Sequence, residues 1–340
     1  MQIYCNLHIV LKKIIECIPN FCVGQDQKII NKIGKSIQSV KDVTLKCIDT
    51  GYYANRSVYT FIGELEPMFE AAYQSIKTAV ELIDMRFHQG THPRFGAIDV
   101  FPFVAVHGIS TEELVPKVNQ FAESIAAEFH IPTYLYEKSQ EKDYRKNLAK
   151  IRKGEYEGLS SKIANPKWTP DFYPYFNEKT GAMTMGVRNI LVAFNLNLET
   201  KDVEIAKRIA EDIRFSGKII NGNRIHGLCE GIKAIGWYIR DFDKVQVSMN
   251  IVDTTKTPVH IAFDTCQKIA KKYNTSITGA ELIGCIPKKS LLEAGRFFSN
   301  NQLNNESELI EKAVNTMNLN EVKLFDLDKN VIDFENYPLE

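Results

Sequence analysis

Ala97-Ile-Asp-Val-Phe-Pro-Phe-Val-Ala-Val106 is an apolar run suited to a strand buried on both faces. It lies between two segments with a clear helical period. Upstream, Leu65, Met68, Phe69, Ala72, Ile76, Val80 and Ile83 share one helical face, with Pro67 near its start. Downstream, Leu114, Val118, Phe121, Ile125 and Phe129 do the same, and Ser110 with Glu113 forms a capping-box signature. Helix, buried strand and helix in succession predict an α/β chain, and the alternation continues outward in both directions.

Toward the N-terminus, Lys12–Pro19 reads as a strand and Gln25–Ile37 as a helix. Leu45–Asp49 and Ser57–Gly63 read as strands around a turn containing Gly51 and Asn55. Toward the C-terminus, Asn189–Leu198 is a strand, followed by a helix with Ile205, Ile209 and Ile213 stacked on one face and Gly217 placed to end it. Lys244–Val252 alternates strictly, with Val245, Val247, Met249 and Ile251 on one face and Gln246, Ser248 and Asn250 on the other, as in a half-buried strand. Thr257 and Pro258 open another helix as N-cap and first residue.

The 340 residues suffice for two compact units, each with its own core. The least regular segment, residues 154–186, is rich in Pro, Gly and aromatics, and the junction is expected there. The expected division is an N-terminal subdomain over 1–186, a C-terminal subdomain over 187–300, and an extension over 301–340.

The 42 basic and 42 acidic residues cancel, so no basic stripe of the kind nucleic-acid binders carry is expected. No stretch reaches the roughly 18 consecutive apolar residues of a membrane span. The first eleven residues have no basic region before their apolar part and no small-residue cleavage site, so they read poorly as a signal peptide. Seven scattered cysteines without a Cys-x-x-Cys argue for reduced thiols, and the expected compartment is the cytoplasm.

The densest chemistry lies in Asp84-Met-Arg-Phe-His-Gln-Gly-Thr-His-Pro-Arg-Phe-Gly-Ala-Ile-Asp99. Gly90, Pro93 and Gly96 make it a loop, carried between a helix and a buried strand. Three readings stay open on residue chemistry alone. His92 could be a general base with Arg94 clamping an anion. His88 and His92 could be metal ligands four apart, although Gly90 and Pro93 argue against the helix this needs. The histidines could instead satisfy buried polar groups. A second candidate is Asp49-Thr-Gly-Tyr-Tyr-Ala-Asn-Arg56, either a binding turn or a polar hairpin capped by Asn55. A third joins Trp168–Phe176 with Thr180–Gly186, either a pocket for a flat heterocycle or packing between subdomains.

At these residues the chain resembles the glutamate formimidoyltransferase (formiminotransferase) family. The resemblance rests on Ile15-Glu-Cys-Ile-Pro-Asn-Phe21, Asp49-x-Gly-x-x-x-Asn-Arg-x-Val-Tyr-Thr-Phe-x-Gly63 and His88-x-Gly-x-His-Pro-Arg-x-Gly-Ala-x-Asp99. Leu82-Ile-Asp-Met85, Tyr134-Leu-Tyr136, Arg152-x-Gly-Glu-Tyr-Glu157, Trp168-x-Pro-Asp-Phe172 and Ala193-Phe-Asn-x-Asn-Leu198 extend it. Ile235-Gly-Trp-Tyr238, Gln246-Val-Ser-x-Asn250 and Leu282-Ile-Gly-x-Ile-Pro287 complete it, so it runs from about residue 13 to about 297.

The resemblance implies two α/β subdomains, each a mixed sheet covered on one face by helices, with a substrate tunnel between them. It implies transfer of the formimino group of N-formimino-L-glutamate to N5 of tetrahydrofolate, in histidine degradation. His92 matches the family's catalytic histidine, and an ordinary imidazole predicts an acid-side fall in rate within about one unit of pH 6.5. Arg94 and Arg56 would engage carboxylates, Asp49 would hold a pterin or formimino N–H, and Asn55 and Tyr136 belong to the same substrate- and folate-binding set. So does the loop of Tyr173, Pro174, Tyr175, Phe176, Asn177, Glu178, Lys179, Thr180 and Gly181. Tetrahydrofolate is expected as co-substrate, with no metal, no nucleic-acid partner and no membrane, in a homodimer.

Departures from the family are few. Tyr173-Pro174 stands where Gly-Pro is usual, in a loop one residue shorter, and Cys22 replaces a serine. A single-function form without a cyclodeaminase domain is expected, and residues 1–10 precede the usual start, near Leu11. The altered loop motivates a second reading, in which the same fold takes a formyl donor such as N-formylglutamate or 5-formyltetrahydrofolate. A folate-binding protein without turnover is the reading from another class.

Overall fold

The computed structural model of the chain describes residues 12–333, so the readings of residues 1–10 lie outside the described part. In the first domain, β1 (Ile14–Cys17) and β2 (Asn20–Phe21) are two pieces of one central strand, separated at Pro19. Then come α1 (Gln27–Gln38), β3 (Val43–Gly51), β4 (Arg56–Glu64), α2 (Leu65–Leu82) and β5 (Ile98–His107). They are followed by α3 (Thr111–Phe129), β6 (Thr133–Leu135), the short α4 (Asp143–Lys146), α5 (Leu148–Arg152) and α6 (Leu159–Ala164), and β7 (Met183–Val187). The sheet is mixed: β3, β4, the β1–β2 strand and β5 pair antiparallel, while β5, β7 and β6 run parallel.

Local signals set these elements as expected. Asp26 caps α1 by accepting from Lys28 N and Ile29 N, and Ser110 with Glu113 closes a reciprocal capping box on α3. The central run is buried on both faces. Phe101 and Phe103 enter the core under α1, α2 and α3, while Val100 packs with Phe95, Tyr134, Ile151 and Leu159 beneath the α4–α6 segment.

The second domain contains β8 (Val192–Leu198), α7 (Val203–Ile213), a small hairpin of β9 (Lys218–Ile220) and β10 (Asn223–Ile225), β11 (Ile232–Ile239) and β12 (Lys244–Ile251). It continues with α8 (Val259–Lys272), β13 (Ile277–Ile283), β14 (Ile286–Pro287), α9 (Lys288–Phe298), α10 (Glu306–Met317), α11 (Leu327–Asn330) and β15 (Val331–Ile332). Its main sheet, ordered β11-β12-β8-β13, is antiparallel throughout rather than mixed. The reason is connectivity. Each helix crossover passes over one strand, so no two parallel strands become neighbours. Both domains use this βαββαβ path, the first strand lying between the third and the fourth.

Two local expectations change. Gly217 does not end α7, which stops at Ile213 with Arg214 extended. It sits instead in left-handed geometry at the base of the β9–β10 hairpin, where a Cβ would strike Ile225 O. Thr257 does not cap α8, which starts at Val259, because its hydroxyl donates to Glu230 O at 2.7 Å. The segment beyond residue 300 packs into the second core through Leu319, Ala313 and Met317 of its own chain path, and Phe325 and Val331 lie against it.

Polar residues are buried on the face of each sheet opposite its main helical layer. On the first, Glu16, Cys47, Asp49, Arg56 and Thr60 alternate with core residues. On the second, Asn195, Asn197, Gln246 and Glu281 do so. The domains touch along these faces: Gly284 N donates to Asp49 Oδ2 at 2.8 Å, Tyr52 N to Asp241 Oδ1 at 2.8 Å, and Arg240 lies over the Tyr53 ring.

Candidate active site between two polar sheet faces

The loop from Asp84 to Asp99 is pinned by the β3–β4 turn. Asn55, in left-handed geometry, accepts from Gly24 N and donates to Gln89 O, both at 2.8 Å. Gly90 packs so closely on Ala54 O that a Cβ would lie 2.3 Å away. Asn55 is thus a turn former, with both ends of its amide engaged. His88 Nε2 donates to Asn55 O at 2.8 Å, which fixes its tautomer, and burial lowers its pKa. Among the described residues no group of three His, Cys, Asp or Glu could hold a metal.

His92 is half-buried, and its Nδ1 donates to Pro93 O at 2.7 Å. A carbonyl can only accept, so the neutral ring carries its lone pair on Nε2. Burial pushes the imidazole pKa down to about 3, helped by the Arg56 and Arg152 guanidiniums and opposed by Asp99 and Pro93 O. The ordinary value near 6.5 expected from the residue type is displaced. The His92 ring meets Trp237 of β11 edge-on, 6.4 Å between centroids, so it stands where the two domains meet.

Behind His92 lies a buried charge cluster. Asp99 accepts from Phe95 N at 2.9 Å and from Arg152 at 2.7 Å, and pairs with Arg56, which also donates to Asn20 Oδ1 at 2.9 Å. Burial pushes its carboxyl up, but Arg56 and Arg152 outweigh it and the pKa ends below the usual range. Arg152 also donates to Pro93 O, tying the cluster to the carbonyl that orients His92. Two guanidiniums against one carboxylate leave this corner with one net positive charge.

The other candidates are distributed unevenly. Arg94 is paired with Glu157 at 2.5 Å and Glu155 at 3.7 Å. Asp49 is buried on the polar sheet face, held by Gly284 N and paired with Lys323 from the C-terminal segment. Tyr136 is buried, and burial raises its phenol pKa. Trp168 and Phe176 pack against the Phe95–Tyr134 core, so this stretch includes packing between segments.

The loop of residues 173–181 abuts the His92 loop. Ala97 N donates to Thr180 O at 2.7 Å, Met85 N to Lys179 O at 2.8 Å, and Gly181 bridges to Gly96. Asn177 Oδ1 caps its turn by accepting from Lys179 N and Thr180 N, and Glu178 O accepts from Tyr156. Tyr173 is left-handed, with φ of 50°, the geometry that a glycine adopts freely. Its ring packs on His130 and Tyr175, at 5.1 and 5.5 Å. The loop therefore keeps a glycine-like path while presenting a tyrosine. Pro174 follows it, and Tyr175 is exposed.

The second domain supplies polar groups to which residue patterns gave no role. Glu281 accepts from Asn195 and Gln246, each at 3.1 Å, and its carboxyl pKa is raised by burial. Gln246 also donates to Asn197 Oδ1 at 2.8 Å and accepts from Trp237 Nε1 at 3.1 Å. Asn197 then donates to Glu321, which pairs with Lys244 at 2.7 Å. The polar side of the Lys244–Val252 alternation and the paired asparagines of 193–198 were the available signals. Chemically, a neutral imidazole acceptor stands between a positive corner and a face rich in amides.

Two sequence profiles match the chain in succession: the formiminotransferase domain, N-terminal subdomain, over residues 14–188, and the formiminotransferase domain over residues 193–336. The chain belongs to the formiminotransferase family. It is 40% identical over 289 residues to glutamate formimidoyltransferase of Streptococcus pyogenes serotype M1, covering 85% of this chain and 94% of that protein. The counterpart of the same name from Thermoplasma acidophilum is 35% identical over 88% of this chain and 96% of its own length. Formimidoyltransferase-cyclodeaminase of Dictyostelium discoideum is 39% identical over 95% of this chain but 60% of that protein. The chain thus spans about three fifths of the length of the formimidoyltransferase-cyclodeaminase relatives it matches.

Proposed function

We propose that the chain is a glutamate formimidoyltransferase that moves the formimino group of N-formimino-L-glutamate to N5 of tetrahydrofolate, within histidine degradation. The observation that carries this reading is the free Nε2 of His92, held by Pro93 O at the meeting of the two polar sheet faces. Tetrahydrofolate supplies the nucleophilic N5 as co-substrate, and no metal is assigned to the step.

His92 Nε2 takes the proton that N5 loses on attacking the formimino carbon. It returns that proton to the glutamate nitrogen as the old C–N bond breaks. The net positive corner of Arg56, Arg152 and Asp99 suits a carboxylate of the donor, and that anion lifts the His92 pKa toward the range a working base needs. Asp49 and the amide face of Gln246 and Asn195 line the region where substrates sit between the domains. Arg94 organises the site by holding the Glu155–Glu157 segment against the loop rather than by touching substrate. The 173–181 loop, with Tyr136, borders the folate, and the subdomains divide at 186 and 187.

A homodimer in the cytoplasm completes the proposal; among the described residues no helix is long and apolar enough to cross a membrane. Incubating the protein with formiminoglutamate and tetrahydrofolate tests it, through release of glutamate that depends on both. A formyl donor used in preference would move the assignment to the alternative chemistry.

A further inference from the structure

We propose that Cys47 and Cys285 form a modification site, a dithiol that a peroxide closes to a disulfide joining the two domains. Cys47 lies on β3 of the first domain, and Cys285 lies between β13 and β14 of the second. One carboxylate oxygen locates both. Asp49 Oδ2 is 3.7 Å from Cys47 Sγ and accepts from Gly284 N, the residue before Cys285, at 2.8 Å. Thr60 marks the same spot from a third direction. It pairs with Cys47 across β3 and β4, and its Oγ1 lies 3.1 Å from where a Gly284 Cβ would be. Cys47 Sγ donates to Asp49 Oδ2, and Cys285 Sγ donates to Lys329 O at 3.2 Å on the other side of the same carboxylate.

The pair is asymmetric in a way that suits oxidation. The neighbouring Cys285 thiol lowers the Cys47 pKa against the effect of burial, with help from Thr60 and Lys323, while Cys47 and burial raise that of Cys285. Cys285 is the less buried of the two. The Cys47 thiolate attacks one peroxide oxygen, the O–O bond breaks, and hydroxide leaves to become water, giving a sulfenic acid. Cys285 sulfur then attacks the Cys47 sulfur, the S–S bond forms, the S–O bond breaks, and a second water leaves with the Cys285 proton. The two sulfurs lose two electrons in total, and the peroxide gains them. The bond ties distant parts of the chain, so it raises resistance to unfolding.

The test is independent of any transfer activity. Native full-length protein is treated with an equivalent of hydrogen peroxide, alkylated, and digested without reductant. The expected result is a Cys47–Cys285 cross-linked peptide, loss of two of seven thiols, and a raised Tm, all reversed by dithiothreitol. Cys47→Ser and Cys285→Ser, made separately, should each abolish the peptide and the peroxide-dependent Tm rise. Absence of that peptide from native protein, whatever other cysteines oxidise, overturns the site. So does a peptide that forms only after denaturant is added.

Discussion

His92 Nδ1 lies 2.7 Å from the carbonyl oxygen of Pro93, the next residue in the chain. That bond commits one ring nitrogen and leaves the other, Nε2, as the acceptor. It also bears on pH. Burial and two guanidiniums hold the folded pKa near 3, so the free protein keeps His92 neutral across ordinary buffers. The acid limb of kcat/KM should therefore lack a His92 midpoint near pH 6.5. The limb of kcat should sit higher than that of the free protein, because the bound anionic donor opposes Arg56 and Arg152. The stability consequence has a definite sign. This depressed pKa costs nothing above the unfolded value near 6.5, and stability is lost as pH falls from there toward 3. A free-enzyme limb at pH 6.5 that vanishes in His92→Asn would contradict this account.

Arg94 is engaged by Glu157 and Glu155, and both carboxylates are substantially exposed. Arg94→Lys should leave KM for both substrates within about threefold while lowering stability by roughly 1 kcal/mol, the scale of a partly solvated pair. Steady-state kinetics and thermal melts read the two effects separately. A tenfold rise in KM for the donor with an unchanged melt would show that Arg94 grips substrate instead.

Glu16 is buried on the polar sheet face, and burial raises its pKa to about 7 against the pull of Arg188. A folded pKa above the unfolded one means stability present below about pH 4.5 and lost as pH rises through 7. Glu16→Gln should therefore melt higher than the parent at pH 8, by roughly 1–3 kcal/mol, and close to it at pH 5. Equal destabilisation of the variant at both pH values would show that the ionised carboxylate has a partner that offsets its burial.

Transfer activity should survive exhaustive chelation, because His88 and His92 have no third His, Cys, Asp or Glu grouped with them as a ligand among the described residues. Metal analysis before and after dialysis against chelator, with rates measured on both samples, checks this. Activity lost with stoichiometric zinc, and regained with it, would make the two histidines ligands.

Much of the fold was legible in the sequence because its elements carry local signals. The Ser110–Glu113 box, the helical faces after Leu65 and Leu114, and the alternation from Lys244 all became the elements expected. Thr257 and Gly217 went elsewhere because long-range partners, Glu230 O and the Ile225 backbone, outweighed local propensity. In the site, the Gly- and Pro-bounded loop marked His92. Its low pKa depends on burial and on Arg56 and Arg152, whose convergence on Asp99 no spacing reveals. The Gln246–Glu281–Asn195 cluster stayed hidden for the same reason, since it needs three strands in register.

The account's central claim is that His92 drives formimino transfer, and one comparison tests it most directly. Purified protein and His92→Ala are each given N-formimino-L-glutamate or N-formyl-L-glutamate, with tetrahydrofolate, and the folate product is measured. The account predicts product from the formimino donor in preference to the formyl donor, with turnover falling about 10²–10⁴-fold in His92→Ala and folate affinity little changed. Turnover of the variant within tenfold of the parent, or product from the formyl donor alone, would contradict it.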